Sequence, residues 1–482
     1  MNSRRFLSIA VRVACSWALS ACTAGHEVTN NTETPSMASP PSETKTSTAS
    51  IMPSASGRGQ VISATAQGII SKSAISNAIS DQEKPLVGSA PQCTVSLIKL
   101  VYSTIDPFNR IAPASAGILI PNAADGKCQG PYPMVSSQHG TNVFRGFSQT
   151  STTDGSVLNA AAYFAAQGYV VVLPDYLGYG SSTLDYHPYL QAENSAAAVI
   201  DAIRAARLVL KTKNLALNGK LFLSGTSEGG YVTLATQMVM ERDLPQEFPL
   251  TAVMAASGPY NTTLTMDTFI AHPDTDQASK SLHATMTLTA LNKTYFNIYT
   301  NPSTVFNQPW SANVDGLVPG THSENELFTQ CFLPYNLKDY PSKVFPNCDP
   351  ETDKIPLLQA NFVASYQAKT NNPNDPAYQA RADVEKQNLL RDWTPKAALA
   401  LCYGDLDSMA TPNAQAAELY FRSRGFQALT MENVQVETSE PIHTWIVTQS
   451  ARYPDGAGYH GKVEAPACVS WGKHQVFDRL AF

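Results

Sequence analysis

Apolar residues along this chain follow two rhythms. Short β-rich runs at Thr94–Tyr102, Ala114–Ile120, Met134–Ser137 and Tyr169–Leu173 predict strands. Helix-like and strand-like segments then alternate. Ala192–Leu210 is rich in Ala with an apolar period of ~3.6 residues and predicts a helix. Lys220–Ser224 predicts a strand, Gly229–Glu241 a helix and Leu250–Ala256 another strand. Later come a strand at Ala397–Tyr403, a helix at Asn413–Arg422, a strand at Val434–Glu437 and a closing helix at Glu464–Leu480. This order predicts an α/β fold with a mostly parallel sheet covered by helices on both faces.

Two stretches break the pattern. Residues 23–60 are dense in Ser, Thr, Pro and Ala. They cannot bury enough apolar surface to offset their ordering entropy, and read as a tether. Residues 261–391 are rich in Asn, Thr, Pro and Tyr and fall between two sheet strands. They are expected to form a cap or lid that shapes the substrate pocket. The catalytic body is then 86–260 together with 392–482.

Residues 1–22 read as an export signal. Arg4 and Arg5 precede a mostly apolar run from Phe6 to Leu19, interrupted by Arg12 and too short to span a bilayer. Leu19-Ser20-Ala21-Cys22 resembles the lipobox of bacterial lipoproteins. That resemblance implies acylation of Cys22 and a lipid-anchored protein of the cell envelope; an ordinary cleaved signal would give a secreted one. Cys93, Cys128, Cys331, Cys348, Cys402 and Cys468 form an even set, as an oxidising compartment favours. Six cysteines allow 15 connectivities. We favour Cys93–Cys128, Cys331–Cys348 and Cys402–Cys468.

Composition narrows the function by exclusion. Of 482 residues, 43% are apolar and 15% charged, an ordinary globular balance. The formal charge of −6 supplies no concentrated basic surface, so nucleic acid is not an expected partner. Neither Cys-x-x-Cys nor His-Glu-x-x-His occurs, so no metal site and no cofactor are expected.

The segment from Leu221 to Tyr231 carries the chemistry. An apolar strand leads into Gly225-Thr226-Ser227-Glu228-Gly229-Gly230, and a helix follows. Gly-x-Ser-x-Gly in that context is a nucleophile elbow. Ser227 sits on a tight, strained turn, and Gly225 and Gly229 must be small because strand and helix crowd them. The helix N-terminus then faces developing negative charge. His139-Gly140-Thr141 after a strand supplies a second such element. The oxyanion donors are expected to be the N–H groups of Glu228 and Thr141, with Gly140 permitting close approach and His139 ordering the loop.

These motifs, with Leu173-Pro174-Asp175-Tyr176-Leu177-Gly178-Tyr179-Gly180-Ser181-Ser182 between them, follow the order found in α/β-hydrolases. The chain resembles the bacterial secreted lipase/esterase branch and, more distantly, fungal secretory lipases. The resemblance implies that the chain order is nucleophile, acid, base. Asp407, in Gly404-Asp405-Leu406-Asp407, matches the acid, although Ala410-Thr411-Pro412 replaces the family's Val-Pro; Asp405 is its competitor. The base is placed between the last strand and the last helix. His460, beside Gly458 and Gly461, is favoured over His443. The implied activity is serine-dependent cleavage of carboxylic esters through a covalent acyl-enzyme, with a small-molecule or lipid ester as substrate. A secreted peptidase of the same fold and an inactive surface lipoprotein are the alternatives.

Overall fold

The computed structural model describes residues 57–125, 127–271, 277–335, 347–436, 440, 442–453 and 458–482. The expected signal, Cys22 and nearly all of the tether lie outside the described residues. Among the described residues nine strands form one sheet: β1 (Val61–Ile70), β2 (Val95–Ile105), β3 (Ile111–Pro121), β4 (Tyr132–Gln138), β5 (Val170–Pro174), β6 (Leu217–Thr226), β7 (Ala252–Ala256), β8 (Ala398–Tyr403) and β9 (Leu429–Asn433). Their spatial order is β1-β2-β3-β5-β4-β6-β7-β8-β9. The pairs β1–β2, β2–β3 and β3–β5 are antiparallel; every pair from β5–β4 onward is parallel.

Strand alternation sorts the core into two layers. Leu221 and Leu223 of β6, with Val253 and Ala255 of β7, face the helices Ala192–Thr212 and Glu228–Asp243. Phe222, Ala252, Met254 and Ala256 face the other side, against the helices Gly155–Tyr163 and Ala465–Trp471. Central strands buried on both faces lose the polar alternation of a half-exposed sheet, which is why they read as continuous apolar runs. Residues 261–391 lie between β7 and β8 and carry helices such as Thr262–Ala271, Gln277–Tyr295 and Pro376–Lys386. Leu282, Met286, Trp310 and Tyr366 from this stretch join the same core layer as Leu221.

The structure departs from the sequence expectations at several points. The sheet begins at Val61, ahead of the expected catalytic body at 86, and the end of the expected tether is docked. Arg58 donates to the buried Asp201 carboxylate at 3.0 Å, and the Gly59 N–H to the Ser103 carbonyl at 2.7 Å. β1 escaped notice because it is an edge strand, exposed along most of its length and shifted in register between Ala66 and Gly68. The strand expected at Val434–Glu437 is instead β9, ending at Asn433. Val434 is the first residue past it, its N–H closing onto the Tyr403 carbonyl at 2.8 Å, and the chain turns there; Glu437 lies outside the described residues. The closing helix starts earlier than Glu464, with a π-helical turn at His460–Glu464.

The three favoured disulfides are all present: Cys93–Cys128, Cys331–Cys348 and Cys402–Cys468. The last joins β8 to the closing helix across 66 residues of chain. Loop-closure entropy for such a span is worth about 4 kcal/mol. That bond holds the two elements that carry the expected acid and base.

Candidate active site

The C-terminal ends of the parallel strands assemble the site. Gln138 pairs with Gly225, Thr226 with Ala256, and Ala256 with Cys402. The loops after β4, β6 and β8 therefore emerge at one edge of the sheet. The connection after β4 runs to β5 on one side, and the next crosses back to β6 on the other side of β4. This is the topological switch point at which open α/β sheets bind ligands.

Ser227 occupies the turn between β6 and its helix with φ 60° and ψ −127°. A non-glycine residue held there stores roughly 1–3 kcal/mol of backbone strain. Packing fixes it. A side chain on Gly229 would strike the carbonyl oxygens of Gln138 and His139, and one on Gly225 would meet the Gly229 backbone and Thr233. The Ser227 N–H donates to the Ala256 carbonyl at 3.0 Å, locking the turn to β7. Ser227 is half-buried, whereas Glu228 is fully buried as the first residue of the helix. The Glu228 N–H is one of the donors that a helix N-terminus leaves unpaired.

The His139-Gly140-Thr141 loop lies against this turn. A Cβ built on Gly140 would stand 3.4 Å from Ser227 Cβ and 4.0 Å from its Oγ. His139 orders the loop: its ring bonds the Gly140 carbonyl at 2.7 Å and stacks on Tyr176 at 4.1 Å between centroids. Burial holds its imidazole below the ordinary value. Thr141 Oγ1 shares a hydrogen bond with Tyr189 at 2.9 Å. The 261–391 stretch is tied to the same loop, since the Val143 carbonyl accepts from the Gly320 N–H at 2.8 Å and the Arg145 N–H donates to the Gly320 carbonyl at 2.7 Å. Asp175, directly after β5, is a buried anchor. It accepts from Ser115, Ser148 and the Gln149 N–H at 2.6–2.8 Å.

Asp407 and His460 are brought together, hydrogen-bonded from Asp407 Oδ2 to His460 Nδ1. Asp407 Oδ1 accepts from the N–H groups of Met409 and Ala410 at 2.9 and 2.7 Å. Burial would push the Asp407 carboxyl up, but the His460 charge and hydrogen bond outweigh it and hold it well below the usual carboxylate range. Burial opposes protonation of His460, yet the charge and hydrogen bond of Asp407 outweigh it and raise it well above an ordinary histidine. The Asp407 side chain is 6% exposed and that of His460 34%, so the acid is sealed while the imidazole keeps an open edge. Asp405 is exposed on the same loop. His460 belongs to the first turn of the closing helix, a correction to its expected place in the loop ahead of it. His443 lies on a separate helix, Ile442–Ser450, that contributes Ile442, Trp445 and Ile446 to the core.

Two buried groups were missed from sequence. His187 Nε2 bonds Glu228 Oε1 at 2.6 Å, and its Nδ1 bonds the Leu177 carbonyl at 2.8 Å. Glu464 lies one turn after His460 and is fully buried. The signal for the first was a charged residue directly after Ser227; for the second, a Glu four residues after His460. Asp407, His460 and Glu464 also form the one group among the described residues whose ligand atoms lie close enough to hold a metal, within 4.8 Å of one another.

Fold and site together define a serine hydrolase of the α/β-hydrolase type. The prolyl oligopeptidase family matches residues 156–300. No curated protein sequence matches the chain. Among solved structures, the rice cell wall degrading esterase LipA from Xanthomonas oryzae is 30% identical with a TM-score of 0.71, over 88% of this chain and 99% of that one. A hydrolase from Legionella pneumophila is 22% identical with a TM-score of 0.65, over 84% and 99%. Candida antarctica lipase A is 15% identical with a TM-score of 0.51, over 86% of each chain, and shares the fold. This chain belongs to the α/β-hydrolase family of the LipA esterase, and is an enzyme of the esterase/lipase kind.

Among the described residues no helix is long and apolar enough to cross a membrane. Three disulfides fit an exported protein.

Proposed function

We propose that the chain hydrolyses carboxylic esters by two-step acyl transfer, with Ser227 as nucleophile, His460 as base and Asp407 as the acid that orients it. The observation that carries this reading is the hydrogen-bonded Asp407–His460 pair on the same sheet edge as the strained Ser227 turn. β6 and β8 stand two strand spacings apart, about 10 Å, a gap that a serine and an imidazole reaching toward each other can close. His460 would take the Ser227 proton as Oγ attacks the ester carbonyl. The N–H groups of Glu228 and Thr141 would hold the oxyanion. His460 then returns the proton to the leaving alcohol, and water, activated in the same way, cleaves the acyl-enzyme. The covalent route needs no metal, and the Asp407–His460 hydrogen bond occupies the ring nitrogen that a metal at this cluster would require.

The cap supports an apolar acyl or alcohol group. An aromatic series runs from the oxyanion loop into the 261–391 insertion, which we read as the lid: Tyr189 beside Thr141, His283 at 6.3 Å from Tyr189 and Phe269 at 5.4 Å from His283. The test is a panel of nitrophenyl esters of rising acyl length beside aminoacyl anilides. We expect turnover of the esters, improving with chain length at first, and at least 100-fold lower kcat/KM on the anilides, equivalent to about 3 kcal/mol or more of barrier. Anilides cleaved as well as esters would move the reading to a peptidase, the direction in which the prolyl oligopeptidase match over the Ser227 region points. The same proposal places the protein on a membrane through a lipid on Cys22. Incorporation of labelled palmitate, lost in Cys22→Ser, is the expected result, and labelling that survives the substitution sinks the anchor.

A further inference from the structure

Glu464 is buried completely, yet nothing in two-step acyl transfer uses it. It sits four residues after His460 on the π-helical turn, which sets both side chains on the Asp407 side of the helix. Its Oε1 accepts from the Gly404 N–H at 2.9 Å, the turn that leads to Asp407. Its Oε2 is also buried, finds no donor among the described residues, and stands 3.6 Å from His460 Nδ1, beyond a hydrogen bond. That nitrogen is already committed to Asp407. An ionised carboxylate with one backbone donor, fully dehydrated beside a second carboxylate, is a costly arrangement.

A single proton resolves it. Placed on Glu464 Oε2, it removes the second negative charge and turns an orphaned acceptor into a donor. Oxygens of the Asp407 and Glu464 carboxyls stand within 4.8 Å of each other, and a shared hydrogen bond is among the causes that hold the Asp407 carboxyl low. We propose that Glu464 is a positioning residue, a neutral carboxylic acid that donates a hydrogen bond to Asp407 and so fixes the carboxylate that orients His460. The inference rests on the reading of Asp407 and His460 as acid and base.

The electrostatics agree. Burial, then the charge of Asp407, pushes the Glu464 carboxyl up to about 8. The titratable groups around it are Asp407, with Asp405 further out on the same loop, His460 and Tyr459 on its own helix, and Tyr260 after β7. Burial raises both tyrosines far enough that they stay neutral around pH 8. His460 is the single cation of this set. Below about pH 8 Glu464 keeps its proton; above it the proton leaves, and two carboxylates face each other.

The test compares Glu464→Leu with Glu464→Gln in the full chain. Leucine removes the donor, and kcat should fall roughly tenfold or more with KM little changed, the worth of one hydrogen bond to a charged group. Glutamine keeps a donor that cannot ionise, so it should recover most of that loss. Its kcat should also stay level through the alkaline range, where the wild type declines near pH 8. In the inactive Ser227→Ala background, the infrared band of a protonated carboxyl should be present at pH 7 and vanish with Glu464→Gln. A glutamine variant as impaired as leucine, an unchanged alkaline limb, or a wild type with no protonated carboxyl at pH 7 would each overturn the proposal. The infrared reading holds even if a substitution unsettles the fold. Failure of the acid–base reading is separate: it would show as His460→Ala retaining activity.

Discussion

Ser227→Ala lowers kcat on a good ester substrate by roughly a million-fold, and a fluorophosphonate probe that labels the wild type no longer labels the variant. The expectation follows from the turn. Its strain is held by Gly225 and Gly229 packing and by the Ser227 N–H bond to Ala256, and none of these uses the hydroxyl. The variant should therefore keep the wild-type melting temperature and substrate affinity. What remains is an oxyanion site without a nucleophile, which typically leaves residual catalysis of about 10³–10⁴ over water. Stopped assays of kcat, with labelled peptides mapped by mass spectrometry, check both halves. A label on another serine, or equal labelling of the variant, moves the nucleophile elsewhere.

The parts of this site legible in sequence are those fixed by local geometry. Ser227 announces itself because strand, turn and helix are contiguous, and a tight turn between packed elements leaves glycine no substitute at 225 and 229. Strands β5, β7 and β8 are legible because burial of most of their residues on both faces makes them near-continuous apolar runs. β1 is not: its residues are solvated, and its place is set by pairing with β2 rather than by its own pattern. β9 is similar, since its alternating Leu429-Thr430-Met431-Glu432-Asn433 is short and Val434 next to it is the more hydrophobic cue. Partners distant in sequence are the hardest to read. His187 meets Glu228 across 41 residues, and Glu464 meets the Gly404 turn across 60. Nothing local to either histidine or glutamate demands its partner; only the folded sheet edge brings them together.

Glu228 shows what such a contact adds. Its backbone N–H is the proposed oxyanion donor, while its side chain is fixed by His187, itself enclosed by Tyr176, Tyr179 and Tyr189. The donor is thus held from below by a buried pair rather than by the loop alone. Preorganised donors are what make an oxyanion site effective, because no reorganisation is needed as charge develops.

His460→Ala should lower kcat by roughly 10⁴-fold or more, while His443→Ala stays within about twofold of wild type. The two histidines are close in sequence and far apart in circumstance. His460 is tied through Nδ1 to an acid sealed from solvent, and keeps an open edge. His443 sits on a helix whose neighbouring Ile442, Trp445 and Ile446 pack into the core. The pH profile gives a second, independent sign. Asp407 raises His460 well above an ordinary histidine, and the base works only unprotonated. Activity should therefore rise with pH through a limb lying above the usual value of about 6.5. Asp407→Asn removes the charge that favours the imidazolium, so the limb of its small residual activity should move down. Equal losses in the two alanine variants, or a limb in Asp407→Asn that does not move, would mean that the Asp407–His460 hydrogen bond is structural and that the base stands elsewhere on the sheet edge.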